Sequence, residues 1–331
     1  MNTNLAAELP RSWQAIMRQA VSSVDELLAL VEVDRRDLPR LEESSAFPLR
    51  VPLSFVQRMR TATPDDPLLL QVLPLAVETN AVDGFVPDPL SETGGDLGPG
   101  IISKYRGRTL LITTGACPVH CRYCFRRHFP YSESTLRGAM DTSLAALATL
   151  DHDEVILSGG DPLSLSNSRL ERLFAGLRRL PRLRRLRIHT RFPIVVPQRV
   201  DQALLELLRR LPVPLTIVTH INHAQEIDAS VAGGMRDLRE AGATLLNQSV
   251  LLAGINAMAS TQAELAEALF DVGIVPYYLH QLDPVAGAAH FRVDDDQARS
   301  IMAELRASLP GYLVPRLVRE IPGEAAKTPV V

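Results

Sequence analysis

The chain has 331 residues, of which 46% are hydrophobic, so it can bury one large core or two modest ones. A single barrel-sized domain with an appendage fits this length. The formal net charge of −3 lacks the basic excess that is typical of nucleic-acid-binding or anionic-membrane-binding proteins, which favours a small-molecule substrate.

The start of the chain gives no signal for export. Residues 1–5 lack the basic and apolar regions of a signal peptide. The most apolar stretch, 67–77, is interrupted by Gln71 and Pro74 and is too short to cross a bilayer. We therefore expect a cytoplasmic protein with no membrane partner.

The first 95 residues predict a helical N-terminal region. Helix-like periodicity occurs at 13–20, 23–31 and 53–59. The stretch 88–100 is dense in turn-forming residues and predicts a linker. We expect residues 1–95 to form a helical appendage or cap and residues 96–331 to form the second domain.

From Arg108 onward, short β-rich runs alternate with longer helical segments. The pattern predicts strands at 108–113, 154–158, 186–190, 215–219, 244–250 and 275–280, and helices at 141–150, 167–180, 199–211, 230–241, 261–272 and 294–308. Repeated β–α units imply an α/β fold with a parallel sheet. The pattern alone does not distinguish an open doubly wound sheet from a barrel.

All three cysteines of the chain, Cys117, Cys121 and Cys124, lie in one loop directly after the first predicted strand. Thiolates are soft ligands that suit iron–sulfur clusters, zinc or copper(I). A cubane cluster normally takes four cysteines, so three would leave one iron open to a substrate or cosubstrate. The alternatives are a zinc site with His120 or His128 as fourth ligand, and a disulfide with one leftover thiol.

The Cys-x3-Cys-x2-Cys spacing, with Tyr123 before the last cysteine, resembles the signature of the radical S-adenosylmethionine family. The resemblance implies a [4Fe-4S] cluster on the three cysteines, with S-adenosylmethionine bound at the open iron and cleaved to a 5′-deoxyadenosyl radical. It also implies an incomplete (β/α)6 barrel whose cluster loop follows the first strand. Functional residues in such folds lie at the carboxyl ends of the strands.

Polar residues follow several of the predicted strands, as a ligand-lined mouth requires. Gly159, Gly160 and Asp161 can be an ordinary strand-to-helix turn, but their position resembles the family motif that holds the methionine amino group. The motifs around His220 and Gln248 resemble those of lysine 2,3-aminomutases in particular. That resemblance implies an adenosyl-side contact for His220 and a place beside a second cofactor for Gln248.

The chain has only two lysines, Lys104 and Lys327. By composition the segment around Lys327 is a frayed tail. Its sequence, Pro-Gly-x-x-x-Lys-Thr-Pro-Val, nevertheless resembles the aminomutase motif whose lysine binds pyridoxal 5′-phosphate. The resemblance assigns Lys327 to that cofactor, and Lys104 with Arg108 can offer positive charge to its phosphate.

A free diamino acid needs a guanidinium for its carboxylate and carboxylates for its distal ammonium. By resemblance, Arg126 is the carboxylate-binding residue, and Asp283 and Glu320 are the ammonium partners. Better-known family members carry aspartate where Glu320 stands, and the extra methylene moves the charge by about 1.5 Å. Each of these residues can instead belong to a surface ion pair.

The resemblance implies an isomerase that converts L-lysine to β-lysine, with an external reductant such as flavodoxin or ferredoxin. The chain stops four residues after Lys327. Short forms of the family resemble the enzyme that makes β-lysine for elongation factor P, in partnership with a lysyl ligase. A free-standing aminomutase, for lysine or another amino acid, and a radical enzyme without pyridoxal phosphate are the alternatives. A monomer and a homo-oligomer are both consistent with the sequence.

Overall fold

The computed structural model describes residues 10, 12–42, 47–93, 97–132, 135–136 and 138–331. The predicted domain boundary at residues 95 and 96 lies outside these residues, as does part of the predicted linker. Eleven α-helices and nine strands occur in the described part. No helix within it is long and apolar enough to cross a membrane.

One nine-stranded sheet organises the fold, and its strands lie side by side in chain order. The strands are β1 (Ile101–Tyr105), β2 (Arg108–Thr114), β3 (Glu154–Gly159), β4 (Arg185–Thr190), β5 (Leu215–Thr219), β6 (Ala243–Val250), β7 (Val275–His280), β8 (Arg316–Arg319) and β9 (Thr328–Pro329). Strands β2 to β8 pair in parallel, whereas β1 and β9 pair antiparallel at the two edges. The predicted α/β class with a parallel sheet is therefore confirmed.

All six predicted strands are present, each within one residue of its predicted bounds. The sequence missed β1, β8 and β9. Strand β8 has charged residues at both ends and β9 is two residues long, so neither carries a clear apolar pattern. The alternative of a frayed tail, indicated by composition alone, is wrong, because β9 returns along β8 and Val330 is buried in a small apolar cluster.

Seven helices follow the sheet strands and cover them. They are α5 (Met140–Thr149), α6 (Asn167–Leu177), α7 (Phe192–Val195), α8 (Gln202–Arg209), α9 (Ala229–Glu240), α10 (Ala259–Asp271) and α11 (Asp295–Ser308). The helix predicted at 199–211 begins later than expected, because Pro197–Arg199 forms a 3-10 turn and Asp201 caps α8. Apolar stripes such as Leu204, Leu205 and Leu208 in α8 face the core.

Four short helices form the described N-terminal region: α1 (Trp13–Arg18), α2 (Val24–Val31), α3 (Leu53–Val56) and α4 (Pro67–Leu70). They share one hydrophobic core with the sheet; the Trp13 ring, for example, meets the Phe192 ring edge-on at 5.4 Å between centroids. The linker prediction for 88–100 is wrong in part, since Leu90 and Glu92 are buried.

Candidate active site

A cavity of about 270 Å³ opens at the ends of the sheet strands. Its walls come from nearly every strand of the sheet, as expected for a parallel sheet whose loops gather at one edge. Every residue that the sequence predicted for the site lines it: Lys104, Arg108, Cys117, Cys121, Cys124, Arg126, Gly159, Gly160, Asp161, His220, Gln248, Asp283, Glu320 and Lys327. The tail lysine and the cysteine loop therefore share one cavity.

The cysteine loop leaves the end of β2, and its three cysteines are free, half-buried residues. Two backbone hydrogen bonds fix it to the N-terminal region, from His120 N to Arg50 O at 3.1 Å and from Arg122 N to Gln71 O at 2.9 Å. Burial raises the pKa of the Cys124 thiol to about 11. Since all three cysteines are free, the structure does not support the disulfide alternative.

Neither histidine proposed for zinc faces the thiols. His120 Nδ1 donates to the Pro48 carbonyl at 2.8 Å, and its ring stacks on Phe47. The ring of His128 contacts the Ala286 carbonyl at 3.1 Å. Among the described residues, no three His, Cys, Asp or Glu side chains are close enough to hold one metal ion. An iron–sulfur cluster does not require the three sulfurs to meet at one point, because each sulfur binds a different iron.

The glycine loop after β3 packs directly against the start of the cysteine loop. Gly159 has a φ of +118°, and a Cβ on Gly160 would come within 2.5 Å of the Ala116 carbonyl oxygen. Only glycine fits this approach. The loop packing thus explains both glycines without any ligand.

Asp161 ties the glycine loop to the end of β4. Its carboxylate accepts hydrogen bonds from the Thr190 hydroxyl and from the backbone N–H groups of Leu163, Arg191 and Phe192. Burial raises its pKa to about 6, although these donors oppose the rise. The Asp161 side chain is therefore occupied within the protein.

Arg126 is buried in the cavity wall and paired with Glu92, a residue that the sequence analysis missed. Arg126 Nε donates to Glu92 Oε2 at 2.6 Å and Nη2 donates to Oε1 at 2.9 Å. Its third nitrogen, Nη1, donates to Ser158 Oγ at 3.0 Å. Glu92 gave no signal in the sequence because it lies among turn-forming residues.

Both lysines of the chain contact Glu320. Lys327 Nζ lies 2.6 Å from Glu320 Oε2, and Lys104 Nζ lies 2.9 Å from Oε1. Lys104 also pairs with Glu92 at 2.9 Å. Burial opposes the charge of Glu320, but the two ammonium groups hold its pKa well below the ordinary value.

Asp283 lies in the same charged cluster, after the end of β7. Burial, followed by the nearby charge of Glu320, raises its pKa to about 7, while Lys327 and Lys104 act in the opposite sense. Asp283 therefore changes charge near neutral pH, unlike Glu320. The two carboxylates differ because only Glu320 directly contacts the lysines.

Two buried imidazole nitrogens in the cavity wall have no hydrogen-bond partner: Nε2 of His189 and Nε2 of His280. Burial holds the pKa of both rings well below the ordinary value, so both are neutral at physiological pH. Unsatisfied buried polar atoms are uncommon, and here they face a cavity that a polar ligand can fill. Neither histidine was predicted as a site residue, although their places at or next to strand ends could have indicated them.

His220 stacks against Tyr123 of the cysteine loop, with 5.6 Å between the ring centroids. Its Nε2 contacts the Tyr123 hydroxyl at 3.0 Å. Burial, followed by the charge of Arg191, lowers its pKa to about 3. His220 is therefore a neutral group at the cysteine side of the cavity.

Three similar proteins share one name. The chain is 48% identical to L-lysine 2,3-aminomutase of Escherichia coli (strain K12) over 322 residues, which cover 96% of this chain and 94% of that protein. It is 43% identical to the Haemophilus influenzae L-lysine 2,3-aminomutase, covering 96% and 95%, and 32% identical to that of Clostridium subterminale, covering 96% and 77%.

No protein-family model matches the chain. A solved radical SAM methyltransferase from Sphaerobacter thermophilus is similar with a TM-score of 0.44 at 16% identity, covering 66% of this chain and 68% of that one. This similarity is too low to support an argument about the reaction. The sequence relatives are sufficient, and the chain belongs to the L-lysine 2,3-aminomutase family of isomerases.

Proposed function

We propose that this protein converts L-lysine to β-lysine by moving the amino group from C2 to C3. The observation that carries the proposal is the shared cavity of the Lys327 amine and the three cysteines. The names of the relatives, all L-lysine 2,3-aminomutase, support lysine as the substrate.

Cys117, Cys121 and Cys124 would hold a [4Fe-4S] cluster. The fit is supported by three free thiols in one loop and by the engagement of His120 and His128 with backbone carbonyls outside the cavity lining. Together with S-adenosylmethionine, a reduced cluster supplies a 5′-deoxyadenosyl radical. Backbone of Gly159 to Asp161 and the neutral His220 ring would contact that cosubstrate.

Lys327 would hold pyridoxal 5′-phosphate, with Gln248 beside it. The unpartnered Nε2 atoms of His189 and His280 support a polar ligand in this part of the cavity. Arg108 and Lys104 would face the phosphate. Arg108 is the stronger candidate for binding the phosphate, because within the described residues it has no carboxylate partner. Lys104 is already paired with Glu92 and Glu320. When bound, the cofactor supplies a conjugated ring that can delocalise an unpaired electron.

The chain's own residues bind and orient the amino acid. Arg126 would receive its carboxylate, and Asp283 with Glu320 would receive its distal ammonium. Lys327 now pairs with Glu320, so substrate must share Glu320 with Lys327 or replace it. Holding the reacting atoms in one geometry is the main contribution that such residues make.

The direct test is anaerobic incubation with S-adenosylmethionine, a reductant and L-lysine, followed by mass spectrometry for β-lysine and 5′-deoxyadenosine. Both products are expected. Deoxyadenosine without β-lysine, and no absorbance from a lysine-bound pyridoxal, would favour a radical enzyme without pyridoxal phosphate or another amino acid as substrate. Colourless protein with one zinc would favour a zinc-binding module.

We further propose that the β-lysine is used to modify elongation factor P through a separate lysyl ligase, in the cytoplasm. This proposal rests on the family resemblance alone. A deletion strain should then contain elongation factor P without the mass of the β-lysyl group. Unchanged elongation factor P, with β-lysine lost from the free amino-acid pool, would favour a free-standing aminomutase.

We also propose that residues 96–331 curve into an incomplete (β/α)6 barrel and that residues 1–95 form a helical region packed on it. The proposal is supported by seven consecutive parallel strands and by a cavity that most of the strand ends line. We propose in addition that a flavodoxin or ferredoxin is the reductant and that the protein assembles into a homo-oligomer.

A further inference from the structure

One thiol of the cysteine loop has a buried cation beside it. Arg191 Nη1 donates to Cys121 Sγ at 2.7 Å. Arg191 follows the last residue of β4, and only 6% of its surface is exposed. Arg191 makes no such bond to the sulfurs of Cys117 or Cys124. Cys121 therefore differs from Cys117 and Cys124 in its electrostatic surroundings.

A buried network fixes the Arg191 guanidinium in this position. Nη1 also donates to the Tyr123 hydroxyl at 2.6 Å, and Nη2 donates to Gln71 Oε1 at 2.6 Å and to Glu226 Oε2 at 2.9 Å. Glu226 is fully buried and its pKa is lowered, because the charge of Arg191 outweighs the opposing effect of burial. The thiol thus contacts one terminal nitrogen of the guanidinium, while the counter-ion Glu226 binds the other.

The potential of an iron–sulfur cluster depends on its net charge and on hydrogen bonds to its sulfurs. We propose that Arg191 sets the reduction potential of the cluster by donating to Cys121, and that Glu226 moderates this effect. When one electron from an external one-electron donor enters the cluster, no bond breaks, and the guanidinium offsets the added negative charge. Arg191 is thus a positioning and tuning residue; the inference rests on the proposed cluster.

The test is a potentiometric titration of the reconstituted full-length protein, followed by electron paramagnetic resonance. Leaving S-adenosylmethionine out separates tuning of the cluster from any contact with that molecule. Arg191→Met should make the midpoint potential more negative than in the wild type. Arg191→Lys keeps the charge but loses the planar fork, so its midpoint should lie in between.

Two further variants test the direction in which the midpoint potential shifts. Glu226→Gln removes the counter-ion of Arg191 and should move the midpoint in the positive direction, opposite to Arg191→Met. Arg199→Met is the matched control, because Arg199 is also fully buried but donates to the carbonyls of Leu163 and Leu165. Its midpoint should equal that of the wild type. Iron and sulfide contents are measured for every variant.

A wild-type midpoint in Arg191→Met, or shifts of Glu226→Gln and Arg191→Met in the same direction, would overturn the inference. If Arg191→Met does not retain iron, the direction of the Glu226→Gln shift decides. A wild-type protein that takes up no four-iron cluster would overturn the proposed function as well. A normal cluster with unmoved potentials would overturn only the role of Arg191.

Discussion

Lys327 donates to Glu320 across 2.6 Å, so the amine proposed to hold a cofactor is already an ion-paired ammonium. The opposite oxygen of Glu320 contacts Lys104 at 2.9 Å. One carboxylate therefore contacts both lysines of the chain. Since Glu320 is also a predicted partner of the substrate ammonium, we expect the state of this cluster to couple cofactor binding to substrate binding.

Lys327→Ala should abolish β-lysine formation and the absorbance of a lysine-bound pyridoxal. The physical reason is that no other primary amine on a side chain is present except Lys104, whose charge is held by two carboxylates. Lys104→Ala is the comparison: it should weaken cofactor retention but keep the absorbance band. A Lys327→Ala protein that still forms β-lysine would contradict the assignment.

Glu320→Gln should raise the KM for lysine by roughly 10- to 150-fold, since a hydrogen bond to a charged group is worth about 1.5–3 kcal/mol. Glu320→Asp keeps the charge and should lie closer to the wild type. Glu324→Gln, an exposed neighbour, is the matched control and should change nothing. Steady-state kinetics measure these KM values. Equal KM values for the wild type and Glu320→Gln would show that Glu320 does not bind the substrate.

The pKa of Asp283, raised to about 7 by burial, predicts a pH dependence of kcat/KM. Below that pH the carboxyl is neutral and binds an ammonium poorly, so kcat/KM should rise as the pH increases through about 7. Asp283→Asn should be weakly active and lack this limb. If kcat/KM of the wild type does not change between roughly pH 6 and pH 8, the range around this pKa, Asp283 does not bind the substrate ammonium.

The same pKa predicts an effect on stability. Because the folded-state pKa of about 7 exceeds the unfolded value near 3.8, the native state binds more protons between these pH values. The contribution of Asp283 to the free energy of unfolding should therefore decrease as the pH rises through that window. Urea unfolding at several pH values should show a shallower decrease in Asp283→Asn.

Glu78 should stabilise the cysteine loop from the N-terminal region. Its buried carboxylate accepts from Arg122 Nε at 2.9 Å and from Arg127 Nη2 at 2.6 Å, and both arginines belong to the loop. Glu78→Gln removes the negative charge that both buried guanidinium groups contact, so the free energy of unfolding should fall by about 3–5 kcal/mol. The loss of iron on dilution should also be faster.

An exposed ion pair provides the control for Glu78. Glu171 pairs with Arg210 on the surface, with both side chains more than half exposed. Glu171→Gln should therefore change the free energy of unfolding by less than about 1 kcal/mol and leave iron retention unchanged. Equal effects of the two substitutions, measured by urea unfolding and iron content, would argue against the stabilising role of Glu78.

The sequence predicted the parts of the site that depend on local patterns. Three thiols in one loop and a scarce lysine near the end stand out without a structure, and all of them line the cavity. Glu92 did not stand out, and Arg191 was noted only as a polar residue at a strand end, with no role assigned. Their partners lie 34 and 70 residues away along the chain, so only tertiary packing defines their roles.

The short edge strands were beyond prediction for a similar reason. Strand β9 is two residues long and is stable only because β8 offers a paired edge and the Val330 side chain is buried. Periodicity cannot reveal an element of that length. Yet β9 is the strand that brings Lys327 next to Glu320.

The most direct test of the central claim follows the nitrogen atom. The reconstituted protein is incubated without oxygen with S-adenosylmethionine, a reductant, pyridoxal phosphate and L-lysine labelled with ¹⁵N at the α-amino group. We predict β-lysine that carries the label on C3, detected by mass spectrometry and nuclear magnetic resonance. Lysine recovered unchanged while 5′-deoxyadenosine accumulates, or β-lysine without the label, would contradict an aminomutase reaction in this cavity.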